Sequence, residues 1–374
     1  MKGLLLAVGG TGGHIYPAVA LGEAVKQLWP DAMVAIAGNP GGREAKAAER
    51  YGFGFEPVRA VKMPKSATAM AGFPGAISTA LMDGRRAIAN VKPGAVVGFG
   101  GYVSFPTVAA ALMSRCPVFL HEQNLSVGRA NRTLARFATG IFASFEATAR
   151  TFGPKAVYTG NPCRFDGKPA PSRAEAHRWL GLDPESCKLY VFGGSQGAAS
   201  LNRAAVEFAR MEKARMDVQI FHLAGQDKYE ETAAAYREIV KDDGIRVEVR
   251  PYLEEMEYAY AAADLVVCRA GATTLTEVAC FGVPAVLVPY PFATEGHQEE
   301  NARHLTDAGA AILVKDSELN GEKLRNLVAR LIEAPNELRA MAAQAKKMYK
   351  ANSAGLMAER LRPLLAPGQR GTVQ

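Results

Sequence analysis

The chain has 374 residues, of which 48% are hydrophobic and 22% charged, a composition typical of a globular protein long enough for two domains. Five cysteines, an odd number with no Cys-X-X-Cys pair, favour reduced thiols in a cytosolic compartment and argue against a metal site. The first apolar run, Leu4 to Val8, ends in glycines, and no window of about 18 uninterrupted apolar residues occurs elsewhere. We therefore expect neither a signal peptide nor a membrane-spanning segment.

The net charge of +7 arises in the first half of the chain. Residues 1–160 hold 17 Lys and Arg against 8 Asp and Glu, a balance of +9, whereas residues 161–374 hold 27 against 29, a balance of −2. Such asymmetry suggests nucleic acid, an anionic membrane surface or a polyanionic substrate as a partner. Nucleic acid is the weak option, because the basic residues are scattered and form no recognisable binding motif.

Short apolar runs of strand type alternate with helical patterns along the whole chain. Such runs joined by helical crossovers predict an α/β fold with parallel sheets covered on both faces. The predicted strands of the first half are Leu4 to Val8, Met33 to Ala37, Gly54 to Val58, Ala95 to Gly98, Val118 to His121 and Gly140 to Ala143. Those of the second half are Leu189 to Phe192, Val218 to His222, Arg246 to Val249, Leu265 to Cys268, Ala285 to Val288 and Ala311 to Val314.

A turn signal near the middle of the chain divides it into two domains. Gly160-Asn161-Pro162-Cys163 follows a short strand and precedes a polar, proline-rich stretch. We therefore predict an N-terminal domain of residues 1–161 and a C-terminal domain of residues 162–349. A last helical stretch, Glu337 to Leu365, is predicted to cross back, so that residues of about 350–366 join the first domain.

Two glycine-rich turns join a strand to a helix, one in each half of the chain. Gly9 to His14 (GGTGGH) precedes a helical pattern from Ile15 to Leu28, and Gly193 to Ala198 (GGSQGA) precedes one from Ala199 to Met211. The unpaired N–H groups of a helix N-terminus and the positive end of its dipole bind phosphate. The two turns therefore indicate a nucleotide or another phosphate-bearing ligand.

Three other interpretations of these turns compete with phosphate binding. A dinucleotide fingerprint is disfavoured, because Ile15 stands where its third glycine should be and the second strand ends without an acidic residue. Gly193 to Gly197 also fits the Gly-X-Ser-X-Gly elbow of serine hydrolases, with Ser195 as nucleophile and Asp264 and His297 or His304 as partners. In the third interpretation, the glycines merely let a helix pack close to a sheet. That interpretation explains one such turn better than it explains two.

Six motifs in order make a more specific comparison possible. Together they closely resemble the MurG family of peptidoglycan N-acetylglucosaminyltransferases, and they span nearly the whole chain. One departure is Phe105, where the family usually has glycine, which leaves open the shape of the acceptor entrance. The motifs are Gly9 to Pro17, Gly100 to Ser104, His121 to Asn124, Gly160 to Arg164, Gly193 to Ala198 and Cys268 to Glu277.

The resemblance implies a GT-B fold, with two Rossmann-like domains whose parallel sheets face each other across a cleft. It also implies inverting transfer of N-acetylglucosamine from UDP-N-acetylglucosamine to the 4-hydroxyl of a polyprenyl-diphosphate-linked muramoyl peptide, which makes lipid II from lipid I. Residues carried over from the family's motifs would bind the donor. They are Thr11, Gly12, Gly13, Asn124, Arg164, Ser195, Leu253, Ala272, Thr273, Thr274, Leu275, Thr276, Glu277 and Gln298.

Three of these residues also have a plain structural interpretation. Ser195 suits a diphosphate but could equally cap a helix. Glu277 could accept hydrogen bonds from both ribose hydroxyls, but Thr274 to Glu277 also reads as a capping box, which the sequence alone favours. Gln298 could bond sugar hydroxyls or could be a solvated helix residue.

Single displacement needs a base, and His14 is the best candidate because imidazole titrates near neutrality. A loop histidine bonded to the backbone is the alternative, and His121 and Glu122 are second choices. No Asp-X-Asp pair of the kind that holds Mg²⁺ or Mn²⁺ is present, since Asp242 and Asp243 are adjacent. We therefore expect no cofactor and no metal requirement, with the departing diphosphate stabilised by helix N-termini and by Arg164.

A predicted helix from Gly72 to Ala89 offers a surface for the cytoplasmic face of a membrane. Its apolar positions fall on one side, a pattern that a core-facing helix would share, and the basic excess of residues 1–160 favours peripheral binding to anionic lipid. The apolar residues are Phe73, Ile77, Leu81 and Ile88, and the basic ones are Lys62, Lys65, Arg85, Arg86 and Lys92.

Two alternatives from other classes remain open at this stage. A serine hydrolase would react with a fluorophosphonate at Ser195, whereas a transferase would not. A non-catalytic sensor would bind UDP-N-acetylglucosamine without turnover.

Overall fold

The computed structural model describes residues 1–61, 67–212, 217–239, 245–293 and 296–366, with the backbone alone for 67–71. The chain divides into two compact units. The first unit comprises Met1–Asp166 and the segment from Lys350 onward, and the second comprises Gly167–Tyr349. The predicted division after residue 161 lies a few residues before this one.

The first unit is built on a parallel seven-stranded sheet of order β3-β2-β1-β4-β5-β6-β7. Its strands are β1 (Gly3–Ala7), β2 (Val34–Gly38), β3 (Gly54–Pro57), β4 (Pro93–Gly98), β5 (Val118–Glu122), β6 (Gly140–Ala143) and β7 (Ala156–Tyr158). Its helices are α1 (Gly12–Leu28), α2 (Arg43–Arg50), α3 (Ala67–Val91), α4 (Phe105–Met113), α5 (Arg129–Leu134) and α6 (Glu146–Phe152).

The second unit repeats the plan with a parallel six-stranded sheet of order β10-β9-β8-β11-β12-β13. Its strands are β8 (Cys187–Phe192), β9 (Val218–Leu223), β10 (Arg246–Arg250), β11 (Leu265–Cys268), β12 (Ala285–Leu287) and β13 (Ala311–Leu313). Its helices are α7 (Arg173–Leu180), α8 (Ala199–Met211), α9 (Tyr229–Ile239), α10 (Met256–Ala262), α11 (Ala272–Phe281), α12 (His297–Asp307), α13 (Gly321–Glu333) and α14 (Pro335–Met348).

Both faces of each sheet are covered, which is why the central strands read as continuous apolar runs. In β1, Leu4 and Leu6 belong to one buried cluster, and Leu5 and Ala7 belong to another on the opposite face. Neighbouring residues of a strand point to opposite faces, so a strand with helices on both sides has no face exposed to solvent. Each strand predicted from the sequence is present, with ends shifted by at most two residues.

The prediction of one continuous helical stretch from Glu337 to Leu365 is wrong. The helix α14 ends at Met348, and a separate helix α15 (Ser353–Leu365) follows. Asn352 between them has φ +59°, a left-handed conformation that asparagine tolerates and that ends regular helix geometry. The helix α15 belongs to the first unit, where Met357 and Leu361 are fully buried in the cluster that covers β1 and α1.

Among the described residues, no helix has the length and apolar composition needed to cross a membrane. All five cysteines are free thiols.

Candidate active site

Strand order places the candidate residues of each unit at the carboxyl edge of its sheet. In the first sheet the chain leaves β1 toward β2 on one side, and β4 lies on the other. In the second sheet the same reversal falls between β8 and β11. Loops diverge at such a reversal and leave a crevice, the usual ligand site of an open α/β sheet. Both glycine-rich turns predicted from the sequence lie at these two positions.

In the first unit, His14 lies where the turn after β1 meets the turn after β4. A Cβ on Gly9 would lie 2.9 Å from the carbonyl oxygen of Gly100, so the two turns approach too closely for a side chain. Gly100 and Gly101 have φ of +87° and +79°, conformations that glycine adopts without strain. Cβ positions built on Gly9 and Gly101 would lie 3.0 and 3.6 Å from the His14 ring. Glycines of both turns therefore make room for this imidazole.

The imidazole of His14 has a side-chain partner that fixes its orientation. Its Nδ1 lies 2.9 Å from Oγ1 of Thr11, so the backbone-bonded loop histidine weighed from the sequence is not what the structure contains. Removal from water lowers the pKa of His14 to about 4. The ring is therefore neutral at pH 7, which is the form that can accept a proton.

His121 and Glu122, the second choices for a base, are tied into the fold. His121 is fully buried, packs against Phe99 with ring centroids 5.3 Å apart, and has its pKa lowered to about 3 by burial. The Glu122 carboxylate accepts hydrogen bonds from the backbone N–H groups of Asn124 and Gly128 and from the amide of Asn131. These contacts shape the loop that carries Asn124 and favour His14 as the base.

Arg164 is buried and its guanidinium contacts two aromatic rings. Its guanidinium carbon lies 3.6 Å from the ring centroid of Tyr16 and 4.6 Å from that of Phe165. Cation–π contact of this kind attracts the guanidinium to the ring faces. Phe105, the departure from the family pattern, is the first residue of α4 and is 40% exposed.

In the second unit, the turn from Gly193 to Ala198 leads directly into α8. Ala198 is the N-cap residue and no side chain caps this helix, so the helix-capping interpretation of Ser195 is wrong. Gly194 adopts φ +84° with open space around its Cβ position, so backbone conformation requires glycine there. A Cβ on Gly197 would lie 1.9 Å from the carbonyl oxygen of Ala224. Close packing therefore explains Gly197, whereas it does not explain Gly194.

Glu277 is a buried carboxylate inside α11, and the capping-box interpretation is wrong. The helix begins at Ala272 with Gly271 as N-cap, so Thr274 is already inside it. The Tyr260 hydroxyl donates to Oε2 of Glu277 over 2.9 Å. No sequence signal links these two residues, because Tyr260 is on a different helix, α10. Tyr260 is therefore a residue of the site that the sequence did not reveal.

The remaining members of the predicted donor site lie in the second unit, whereas Thr11, Gly12, Gly13, Asn124 and Arg164 lie in the first. Ala272, Thr274 and Thr276 are half-buried, and Thr273 and Leu275 are buried. Leu253 is buried in the loop between β10 and α10. The amide oxygen of Gln298 accepts a hydrogen bond from the backbone N–H of Tyr290 over 2.9 Å, so Gln298 is not merely a solvated helix residue.

The serine hydrolase interpretation fails on geometry. Ser195 follows β8 and lies at the carboxyl edge of the sheet, whereas Asp264 precedes β11 and lies at the amino edge. A strand of six residues spans about 20 Å, too far for a triad. Asp264 is also occupied, since it accepts a hydrogen bond from the backbone of Lys188 and pairs with Arg173.

The predicted membrane-facing stripe lies on α3 and is neither buried nor fully exposed. Phe73, Ile77, Leu81 and Ile88 are half-buried, and Ile88 packs beside a core cluster. Arg85, Arg86 and Lys92 are exposed, whereas Lys62 and Lys65 lie outside the described residues. Met82, which directly follows Leu81 on α3, is 59% exposed.

Within the described ranges, no group of three or more His, Cys, Asp or Glu side chains is placed to hold a metal ion. Asp242 and Asp243 lie outside those ranges.

Two Rossmann-like sheets in one chain, each with a glycine turn at its point of reversal, define the GT-B class of fold. The glycosyltransferase family 28 N-terminal domain matches residues 4–143, and the family's C-terminal domain matches residues 188–357. The chain therefore belongs to glycosyltransferase family 28, and within it to the UDP-N-acetylglucosamine–N-acetylmuramyl-(pentapeptide) pyrophosphoryl-undecaprenol N-acetylglucosamine transferases.

Two relatives and one solved structure illustrate this membership. The transferase of that name from Halothermothrix orenii is 41% identical over 93% of this chain and 95% of its own length. The one from a Nocardioides species is 40% identical over 91% of this chain and 92% of its own. The crystal structure of Acinetobacter baumannii MurG superposes with a TM-score of 0.72 at 30% identity, covering 97% of this chain and 99% of that one.

Proposed function

We propose that this protein transfers N-acetylglucosamine from UDP-N-acetylglucosamine to the 4-hydroxyl of a muramoyl sugar linked to a polyprenyl diphosphate. The observation that carries the proposal is identity of 41% over 93% of the chain with a transferase whose name states this donor and this acceptor. The neutral His14 and the two glycine turns supply the groups that such a reaction needs.

The reaction is a single displacement that inverts the anomeric carbon. The acceptor 4-hydroxyl attacks that carbon, its proton passes to His14, and the bond from the carbon to the diphosphate oxygen breaks as UDP leaves. A general base of this type contributes about 10²- to 10⁴-fold. Thr11 and the glycines hold the ring so that no reorientation is needed when the proton moves.

Charge on the departing UDP is stabilised by helix N-termini and by a fixed cation. The N–H groups at the start of α8, beside Ser195, suit one phosphate, and the dipole of α11 adds positive potential. Arg164, whose guanidinium contacts the rings of Tyr16 and Phe165, supplies a charge-assisted donor. Glu277 accepts from the ribose hydroxyls, and the NH2 group of Gln298 donates to the sugar.

One assay tests the proposal directly. Radiolabelled sugar from UDP-N-acetylglucosamine should appear in the organic phase with a lipid I analogue, and should remain in the aqueous phase without acceptor. Binding of UDP-N-acetylglucosamine with no transfer to any polyprenyl-linked acceptor would instead indicate a sensor.

We also propose that the transfer needs no metal ion. The groups just named neutralise the diphosphate, so activity in EDTA should equal activity in buffer within about two-fold. The measurement is the initial rate of transfer after dialysis against chelator. Loss of activity that Mn²⁺ restores would contradict this part of the proposal.

We further propose that the first unit docks on the anionic cytoplasmic face of the membrane through α3. Arg85 and Arg86 are exposed beside the half-buried stripe, and each cation near such a surface contributes about 1 kcal/mol. Binding to vesicles should therefore require anionic lipid and weaken toward 1 M salt, where the Debye length is about 3 Å.

Co-sedimentation with phosphatidylglycerol vesicles measures this binding. Changing Lys62, Lys65, Arg85 and Arg86 together to Glu should abolish it. The matched control changes Arg210, Lys323, Arg339 and Lys347 of the second unit to Glu, which alters net charge equally. Equal losses in both variants would mean that total charge, not this surface, determines binding.

A further inference from the structure

A pocket at the amino edge of the first sheet has no part in the proposed reaction. It lies where β1, β4 and β5 begin and where α3, α4 and α15 end, and its volume is about 490 Å³. His14 and the glycine turns are at the opposite edge of the same sheet. The pocket is therefore separate from the candidate active site, although it shares Ile88 and Lys92 with the surface proposed to face the membrane.

The rim of this pocket is cationic. Lys2, Lys92 and Arg115 line it and are exposed, and its lining contains no acidic residue. In the part of the chain that the structure describes, no carboxylate pairs with any of the three. The pocket therefore holds positive charge that is available to an anion.

Two of these cations occupy backbone positions where glycine is the favoured residue. Lys92 follows α3 with φ +47°, and Arg115 follows the C-cap of α4 with φ +55°. At the ends of α7 and α11 the chain has Gly181 and Gly282 in the same left-handed conformation. Strain of this kind persists where the surrounding structure imposes it, and it is concentrated at functional sites.

A plain structural explanation for Lys92 and Arg115 is that they cap the helices they follow, because a cation near a helix C-terminus is stabilising. That explanation does not cover Lys2, which precedes a strand. The remaining lining includes apolar groups of Ile88, Pro117 and Leu364 beside the charges. Such a combination suits an anion that carries a carbon skeleton.

We propose that this pocket binds a phosphate ester, with its charge on Lys2, Lys92 and Arg115 and its carbon part against Ile88, Pro117 and Leu364. Two kinds of ligand carry a phosphate ester of this type, a soluble phosphorylated metabolite and a phospholipid headgroup. The proposal does not rest on the transfer reaction, which uses the other edge of the sheet.

Methyl NMR of the full-length protein locates the binding. With isoleucine methyl groups labelled and the Ile88 signal assigned from Ile88→Val, sn-glycerol 3-phosphate and dihexanoyl phosphatidylglycerol below its micelle concentration are titrated separately. A saturable shift of Ile88 with both probes identifies a site for phosphate esters in general. A shift with the lipid alone identifies a headgroup site, and no shift with either overturns the proposal.

Glycine variants separate binding from structural support. Lys92→Gly with Arg115→Gly should weaken binding about 10-fold or more, because two of three charge-assisted donors are removed, while Tm stays equal or rises. The control variant, Lys46→Gln with Arg50→Gln on α2, also loses two positive charges. Its affinity for the probes should stay within two-fold of that of the parent. Should the glycine pair fold poorly, Asn at both positions repeats the test, since Asn352 already adopts this conformation here. A lower Tm with unchanged binding would show that the cations only cap their helices, and would overturn the proposal.

Discussion

Replacing His14 with alanine is expected to lower the turnover number for sugar transfer by about 10²- to 10⁴-fold while leaving UDP-N-acetylglucosamine binding nearly intact. The ring is held by Thr11 and surrounded by glycines, so its loss removes a proton acceptor without exposing a packed core. Steady-state kinetics and a separate binding titration measure the two effects.

A histidine outside the candidate site serves as the control for this variant. His304→Ala changes a histidine on α12 of the second unit and should leave turnover within about two-fold. A purely structural His14 would lower Tm and binding together. Turnover of the folded His14 variant within a few-fold of the parent would exclude His14 as the base.

The pH profile gives a second test of the same role. Desolvation lowers the pKa of His14 to about 4, so the ring stays unprotonated as the pH falls from 8 to about 5. The basic form is lost only as the pH passes through about 4, and the acid limb of kcat/KM should lie there rather than near 6.5. An acid limb near 6.5 that disappears in His14→Ala would mean that the ring is solvated in the working enzyme.

Replacing Glu277 with glutamine is expected to raise the KM for UDP-N-acetylglucosamine by about 10- to 100-fold, since hydrogen bonds to a charged group are worth about 1.5–3 kcal/mol. Glutamine retains an oxygen for the Tyr260 hydroxyl, so the helix should stay folded. It cannot offer two anionic acceptors to a ribose diol. Isothermal titration with UDP and steady-state kinetics are the measurements.

The exposed carboxylate of Glu322 provides the matched change in the same unit. Glu322→Gln should leave KM and Tm at parental values, because that side chain lies on the surface of α13. Should Glu277→Gln lower Tm by many degrees and leave the KM of the folded fraction unchanged, Glu277 would be structural and the ribose would have another partner.

The strands and the glycine turns were predictable because each rests on a local pattern. An apolar run as short as Leu189 to Phe192, followed directly by glycines, favours a buried strand over a helix, and glycines before a helical pattern mark its start. The identity of His14 as a candidate base also came from its position in such a turn. Gly100 and Gly101 lie beside that ring because of the order of the strands in the sheet, which the sequence does not display.

The errors have a common physical origin. Thr274 to Glu277 has the letters of a capping box, but the helix starts earlier because Gly271 already ends the turn after β11. Whether a threonine caps a helix or sits inside it is decided by where the chain leaves the sheet. The break between α14 and α15 is not predictable for a related reason, since nothing in the apolar spacing of the two helices requires the chain to turn at Asn352.

The position of α15 has a consequence for how the chain is made. The core around β1 and α1 is completed by Met357, Leu361 and Leu365, and the backbone N–H of Lys2 bonds to the carbonyl oxygen of Leu365. The whole second unit is encoded between these partners. During synthesis, residues 1–166 therefore emerge from the ribosome with an uncovered apolar face, and the second unit can complete its core before the first unit can. The part of the protein that is translated first is thus the last to be finished.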